Sequence, residues 1–281
     1  MDQITPKPVK QFKVIGTRPL RPDGIEKVTG KAIYGADLSA PNMLYGLMLR
    51  INEPHALIES IDISIAEKLP GVKSIITFKD FIKINPDNKN NETLENCMAN
   101  EKVLYDGHAV AAVSAVNLKI AKKALKSINV KFKKLPFVIS IEDAMKKDAP
   151  VVAKGKKNEN IPDGFSENVV QYCSFGHGNL EQGFNESDKV IQRTFKTPSV
   201  HQGYIEPHAC LASMSDDGKA DLWCCTQGHY NVRSICSNIF KIDNSQLKVT
   251  ASEIGGGFGG KTTVFIEPIA LALSKKSGRP V

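Results

Sequence analysis

The chain has little that would tie it, through its own side chains, to a metal, a membrane or a nucleic acid. Its six cysteines, Cys97, Cys173, Cys210, Cys224, Cys225 and Cys236, form no CxxC pair, and its six histidines form no HxxxH pair. Zinc and iron–sulfur centres need thiolates or imidazoles at close, regular spacing. No side-chain metal centre is therefore expected, and isolated thiols suit the reduced state of a cytoplasmic protein. No run approaches the ~20 apolar residues of a membrane helix. Residues 1–13 lack the apolar core of a secretory signal. The net charge of +7 comes without an Arg-rich run and without basic residues interleaved with aromatics. Such a charge fits a solvated lysine surface or a face turned to an acidic partner better than a nucleic-acid site. There is no internal repeat.

What is present suffices for a real core. At 281 residues with 41% apolar content, two domains are expected. Residues 1–23 form a polar lead, and a compact region follows over 24–145. Within it, apolar strands are expected at 43–51, 72–78 and 108–116, and a strand at 129–132. A short helix is expected at 63–69. A helix over 118–128 places Ile120, Ala121, Ala124, Leu125 and Ile128 on one face and lysines on the other. Residues 86–96, rich in Asn and acids, read as an exposed loop. The charged stretch 146–164, with Pro150, Gly155, Pro162 and Gly164, reads as a linker. The second region, 165–281, is expected to hold a helix at 180–184, strands at 190–197, 220–225 and 247–251, and helices at 230–240 and 264–276. Helices and strands mix without strict alternation, so the expected fold class is α+β.

The most informative stretch is Ile254-Gly255-Gly256-Gly257-Phe258-Gly259-Gly260-Lys261-Thr262. Glycine tolerates positive φ and leaves backbone N–H groups bare to a ligand. Three signatures share this spelling. Gly255 to Thr262 fits G-x-x-x-x-G-K-[ST], a P-loop with a lysine for phosphate and a hydroxyl for Mg²⁺. A nucleotidase, however, also needs a strand ending in an acid to hold the metal. The residues after Thr262 read as helix and tail only. Gly255, Gly257 and Gly260 also fit G-x-G-x-x-G, but no ribose-binding acid follows Glu267.

The third signature needs the rest of the chain. Tyr204-Ile205-Glu206-Pro207-His208-Ala209 lies upstream, then 222–233 with Trp223, Gln227, Gly228 and Arg233, then Glu253 to Lys261. Together these resemble the molybdenum-cofactor-binding large subunits of the xanthine dehydrogenase/aldehyde oxidase family. Gly30-Lys31-Ala32-Ile33-Tyr34-Gly35-Ala36-Asp37, Leu69-Pro70-Gly71-Val72, residues 103–113 and residues 128–136 resemble that family's α/β hammerhead domain. The likeness runs from about residue 15 to residue 281.

The resemblance implies a hammerhead domain followed by the first part of a mixed α/β molybdopterin-binding domain. It implies a molybdenum–molybdopterin cofactor, with the dinucleotide form left open, whose metal is held by the pterin rather than by side chains. Gln227 would donate a hydrogen bond at the metal centre, and Gly256, Gly257, Phe258 and Gly259 would wall the cofactor, Phe258 keeping water out. The implied reaction hydroxylates an aldehyde, an N-heterocycle or a related carbon with water-derived oxygen. Electrons would leave through Fe–S clusters and FAD on partner subunits of a heteromeric complex. Purine-oxidising members carry a glutamate where this chain has Thr262, which speaks against xanthine as substrate. The family's base glutamate lies beyond residue 281, so the chain is expected to be an N-terminal part that does not complete the site. The rival expectations are a P-loop nucleotide-binding module and a catalytically incomplete assembly domain. Glu206 is expected to pair with backbone near the pocket, Tyr204, His208 and His229 to pack, and Arg233 to form an ion pair. Lys261 is left open between a turn cap and a phosphate contact.

Overall fold

A computed structural model describes residues 12–152 and 161–281. The first half holds strands Tyr45–Ile51 (β1), Ala56–Asp62 (β2), Val72–Ile76 (β3), Lys102–Val103 (β4), His108–Ala115 (β5) and Asn129–Lys134 (β6). They form two antiparallel sheets, ordered β1-β5-β3 and β4-β2-β6. Its helices are Gly24–Val28 (α1), Ser64–Glu67 (α2), Phe78–Ile84 (α3), Glu92–Cys97 (α4), Leu118–Lys126 (α5) and Ile141–Ala144 (α6). Every residue of β5 is buried, because neighbours cover both of its faces. This is why it reads as a continuous apolar run instead of an alternating one. Helix α5 starts where the Asn117 side chain accepts the Ile120 N–H at 2.9 Å. It buries Ala121 and Ala124 and leaves its lysines outside.

The second half holds Leu180–Asn185 (α7), Cys210–Met214 (β7), Ala220–Cys224 (β8), His229–Phe240 (α8), Leu247–Ala251 (β9) and Glu267–Ser277 (α9). The sheet runs β7-β8-β9. β7 pairs antiparallel to β8, while β9 lies parallel to β8 after a crossover through α8. α9 buries every residue from Glu267 to Ser274. The largest apolar cluster joins both halves: Phe78, Phe81, Leu94 and Met98 pack with Leu222, Val232, Ile239 and Leu271.

Several sequence expectations change. Residues 86–96 are largely exposed, as expected, but they are not a loop. They form a 3₁₀ turn, Pro86–Asn90, followed by α4. The asparagines build it: Asn85 accepts from Asp87 N–H, Asn91 from Leu94 N–H. Buried Asn88 donates to the carbonyls of Phe81 and Ile239 at 3.0 and 2.9 Å. Residues 190–197 form no strand, because no neighbouring strand among the described residues offers them a ladder. β3 stops at Ile76, since Thr77 and Asp80 cap α3 reciprocally. α9 begins only at Glu267, whose carboxylate accepts the N–H groups of Phe265 and Ile266. Part of the expected linker, residues 153–160, lies outside the described residues.

Candidate functional site

Two short connections meet at the glycine run. The first leaves β8 at Cys224 and enters α8 at His229, carrying Gln227. The second leaves β9 at Ala251 and carries Gly255 to Lys261. Their contact is specific. Gln227 N–H donates to Lys261 O at 2.8 Å. Its side-chain Oε1 accepts from Gly259 N–H at 3.0 Å and from Lys261 N–H at 3.2 Å. Thr226 Oγ1 and Asn231 Nδ2 add bonds to the carbonyls of Lys261 and Thr262. With Oε1 committed to two N–H groups, the amide orientation is fixed, and Nε2 remains as a donor with no protein partner among the described residues.

Beside Gly255, which packs on Glu206, two further glycines of the run are required sterically. A Cβ on Gly257 would lie 2.5 Å from Gln227 Oε1, closer than any real contact. A Cβ on Gly260 would meet Tyr204 Cε1 at 2.7 Å. Gly259 is different: at φ +89° its missing Cβ faces open space. Between these points the N–H groups of Gly256, Gly257 and Phe258 find no acceptor among the described residues. Gly257 is itself buried. Three successive N–H donors without partners leave an electropositive strip of backbone. Phe258 stands over it at φ +49°, in the left-handed region, with 73% of its surface exposed. That conformation costs a non-glycine residue roughly 1–2 kcal/mol. Strain of this kind collects at ligand clamps.

Lys261 resolves the open alternative. Its side chain is wholly buried, its Nζ lies 2.7 Å from Glu206 Oε2 and 4.9 Å from the centre of the Tyr204 ring. A P-loop lysine must reach into the phosphate site, and a P-loop must run directly into a helix N-terminus. Here the lysine is locked in an ion pair and the helix starts at Glu267, so the nucleotide reading is not supported. Glu206 binds backbone as expected, accepting from Gly35 N–H and Gly255 N–H. Tyr204 Oη pairs with His208 Nε2 at 3.1 Å, and burial, then the Lys261 cation, lowers the His208 pKa. His229 packs on Tyr230. Arg233 forms no ion pair among the described residues and instead lies 5.2 Å over the Tyr230 ring. The junction of Gly35 with this site had no sequence signal beyond the Gly30–Asp37 motif itself.

A glycine loop with bare N–H donors beside one uncharged amide is suited to an anionic, oxygen-rich ligand. Sequence-family comparison agrees. Residues 29–136 match the aldehyde oxidase and xanthine dehydrogenase a/b hammerhead domain, and residues 161–281 match the molybdopterin cofactor-binding domain. Among relatives, a probable xanthine dehydrogenase subunit of Bacillus subtilis is 37% identical over 93% of this chain and 34% of its own length. The nicotinate dehydrogenase large molybdopterin subunit of Eubacterium barkeri is 27% identical over 97% of this chain and 61% of its own. The crystal structure of quinoline 2-oxidoreductase from Pseudomonas putida 86 superposes with TM-score 0.80 at 28% identity, covering 96% of this chain and 34% of that one. The chain belongs to the xanthine dehydrogenase/aldehyde oxidase family of molybdenum hydroxylases. It spans between about a third and three fifths of the length of these relatives.

Proposed function

We propose that this chain is the molybdopterin-binding part of an oxidoreductase that hydroxylates a carbon of an aldehyde, an N-heterocycle or a related small molecule with oxygen derived from water. The carrying observation is the strip of N–H donors at Gly256, Gly257 and Phe258 beside Gln227 Nε2. The residues fit the cofactor: neutral donors in a glycine-lined cradle suit an anionic, oxygen-rich ligand without offering the metal a competing side chain. When bound, the molybdenum cofactor supplies the two-electron oxidation. The chain's own part is to bind and orient. The strip would hold the cofactor, Gln227 would present one amide proton to it, and Phe258 would cover its exposed side. The acids around the loop are engaged elsewhere, Glu206 on Lys261, Glu253 on Lys27 and Glu267 on backbone N–H groups. None of them is assigned as the catalytic base.

Hammerhead residues 24–145 and cofactor-domain residues 165–281 are the proposed units, joined through 146–164. Cytoplasmic Fe–S and FAD partners would accept the electrons. The names of the relatives cover xanthine, nicotinate and quinoline, and also carbon monoxide and aldehydes, which keeps the substrate class broad. Gln227→Glu tests the reading. It keeps an oxygen for the Gly259 and Lys261 N–H groups and removes the amide donor. In the assembled enzyme kcat should fall about 100-fold, the usual scale for losing one aimed donor, while molybdenum content stays that of wild type. An unchanged kcat would remove Gln227 from the reaction.

A further inference from the structure

Two segments distant in sequence converge on one carboxylate. Glu206 Oε2 accepts from Gly255 N–H at 2.8 Å and from Lys261 Nζ at 2.7 Å, while Oε1 accepts from Gly35 N–H at 3.2 Å. The first two partners are the two ends of the glycine loop, and the third belongs to the hammerhead. Around this point the segments are stapled again. Glu253 N–H donates to Ile33 O at 3.1 Å, Tyr34 and Glu253 form a parallel bridge, and Lys27 pairs with the Glu253 carboxylate. Space is tight enough to fix the residue types. A Cβ on Gly255 would lie 2.6 Å from Glu206 Cβ, and a Cβ on Gly35 would lie 2.8 Å from Ala209 O.

A carboxylate is the side chain this junction needs. All three partners are donors, and only an ionised carboxylate offers two acceptor oxygens with no proton of its own. Glutamine would turn an NH₂ toward one of them. The Glu206 side chain is 9% exposed and that of Lys261 not at all, so the ammonium has no water as a substitute partner.

We propose that Glu206 is a positioning residue: it closes the glycine loop at both ends, locks it to the hammerhead, and so holds the N–H strip in its ligand-ready shape before any cofactor arrives. The functional meaning of that shape rests on the molybdopterin reading above. The loop's other tie, Gln227, grips Gly259 and Lys261 from the opposite connection. The loop is thus gripped from two sides, leaving Gly256 to Phe258 free to face a ligand. Pre-organisation of this kind saves the ordering cost on binding.

Amide hydrogen exchange on the cofactor-free chain tests the proposal. In Glu206→Gln, exchange at the bonded amides of Glu253, Gly255, Gly259, Gly260, Lys261, Tyr34 and Gly35 should rise by about tenfold or more, while β5 and β8 keep wild-type protection. A loss of global stability alone would raise exchange in β5 and β8 as well. Because Glu206→Gln strands the buried Lys261 ammonium, the variant can fail to fold. The double variant Glu206→Gln/Lys261→Met removes that cation and should show the same local rise. Loop exchange within about twofold of wild type in a folded variant overturns the proposal. Molybdenum content separates the two readings. A loosened loop with a matching loss of molybdenum supports both. A loosened loop with full molybdenum content leaves Glu206 as the clamp and overturns the loop as the cofactor's wall.

Discussion

Gly257 sits where a methyl group has no room. Its added Cβ would press on Gln227 Oε1 at 2.5 Å, the oxygen that holds Gly259 and Lys261. Gly257→Ala should therefore cost about 1–3 kcal/mol of stability, as overpacking does, and should free the 259–261 amides, which denaturant unfolding and hydrogen exchange can read. A stability equal to wild type would mean the two connections are not in contact. At this scale the sequence discloses types better than geometry. That a glycine run serves close approach is legible from composition. That Gln227 spends its carbonyl oxygen on the loop, leaving only Nε2 to a ligand, is not, because it depends on a backbone turn thirty-odd residues away. Phe258 resembles any core aromatic on paper. Its positive φ and exposure appear only once Gln227 and Tyr204 have fixed the glycines on either side.

Elements with a strong period were readable. β5, α5, β9 and α8 lie within two residues of expectation, since burial on one face or both writes itself into the pattern. The α3–α4 segment was not, because its asparagines look like loop residues until their partners are known. The neighbouring His108 gives this region a pH signature. It is buried at the start of β5, where Nδ1 accepts from Leu104 N–H at 3.2 Å and Nε2 therefore donates to Glu95 O at 2.7 Å. Burial pushes its pKa down to about 4. The folded ring stays neutral while the unfolded one takes up a proton near its ordinary value of about 6.5. The neutral-ring stability is fully present above that value and falls as pH drops from about 6.5 toward 4, by about 3 kcal/mol in all. His108→Gln should flatten the stability profile across this window. Equal slopes for variant and wild type would place the titration elsewhere.

At the scale of the whole molecule, the two halves share one large core, and the glycine loop lies where the 27–35 segment meets the β7-β8-β9 sheet. Local pattern could not disclose that junction, since it joins residues more than 170 positions apart. The ordered set of motifs disclosed the family, because their order and separation carry information that no single glycine motif has, but not this contact. Residues 190–197 show the opposite limit: a β-prone stretch forms no strand without a partner edge. The central claim is that the loop receives a molybdenum–pterin cofactor, and Gly259→Val probes it most directly. Its missing Cβ faces open space at φ +89°, so valine strains the backbone and fills the open side. Molybdenum and pterin should be measured in the full-length subunit of the assembled enzyme, purified from a host that makes the cofactor. Wild type should carry both, and Gly259→Val should carry about tenfold less or lower, the loss expected when a ligand's contact surface is blocked. Cofactor content that is unchanged in the variant would contradict the claim.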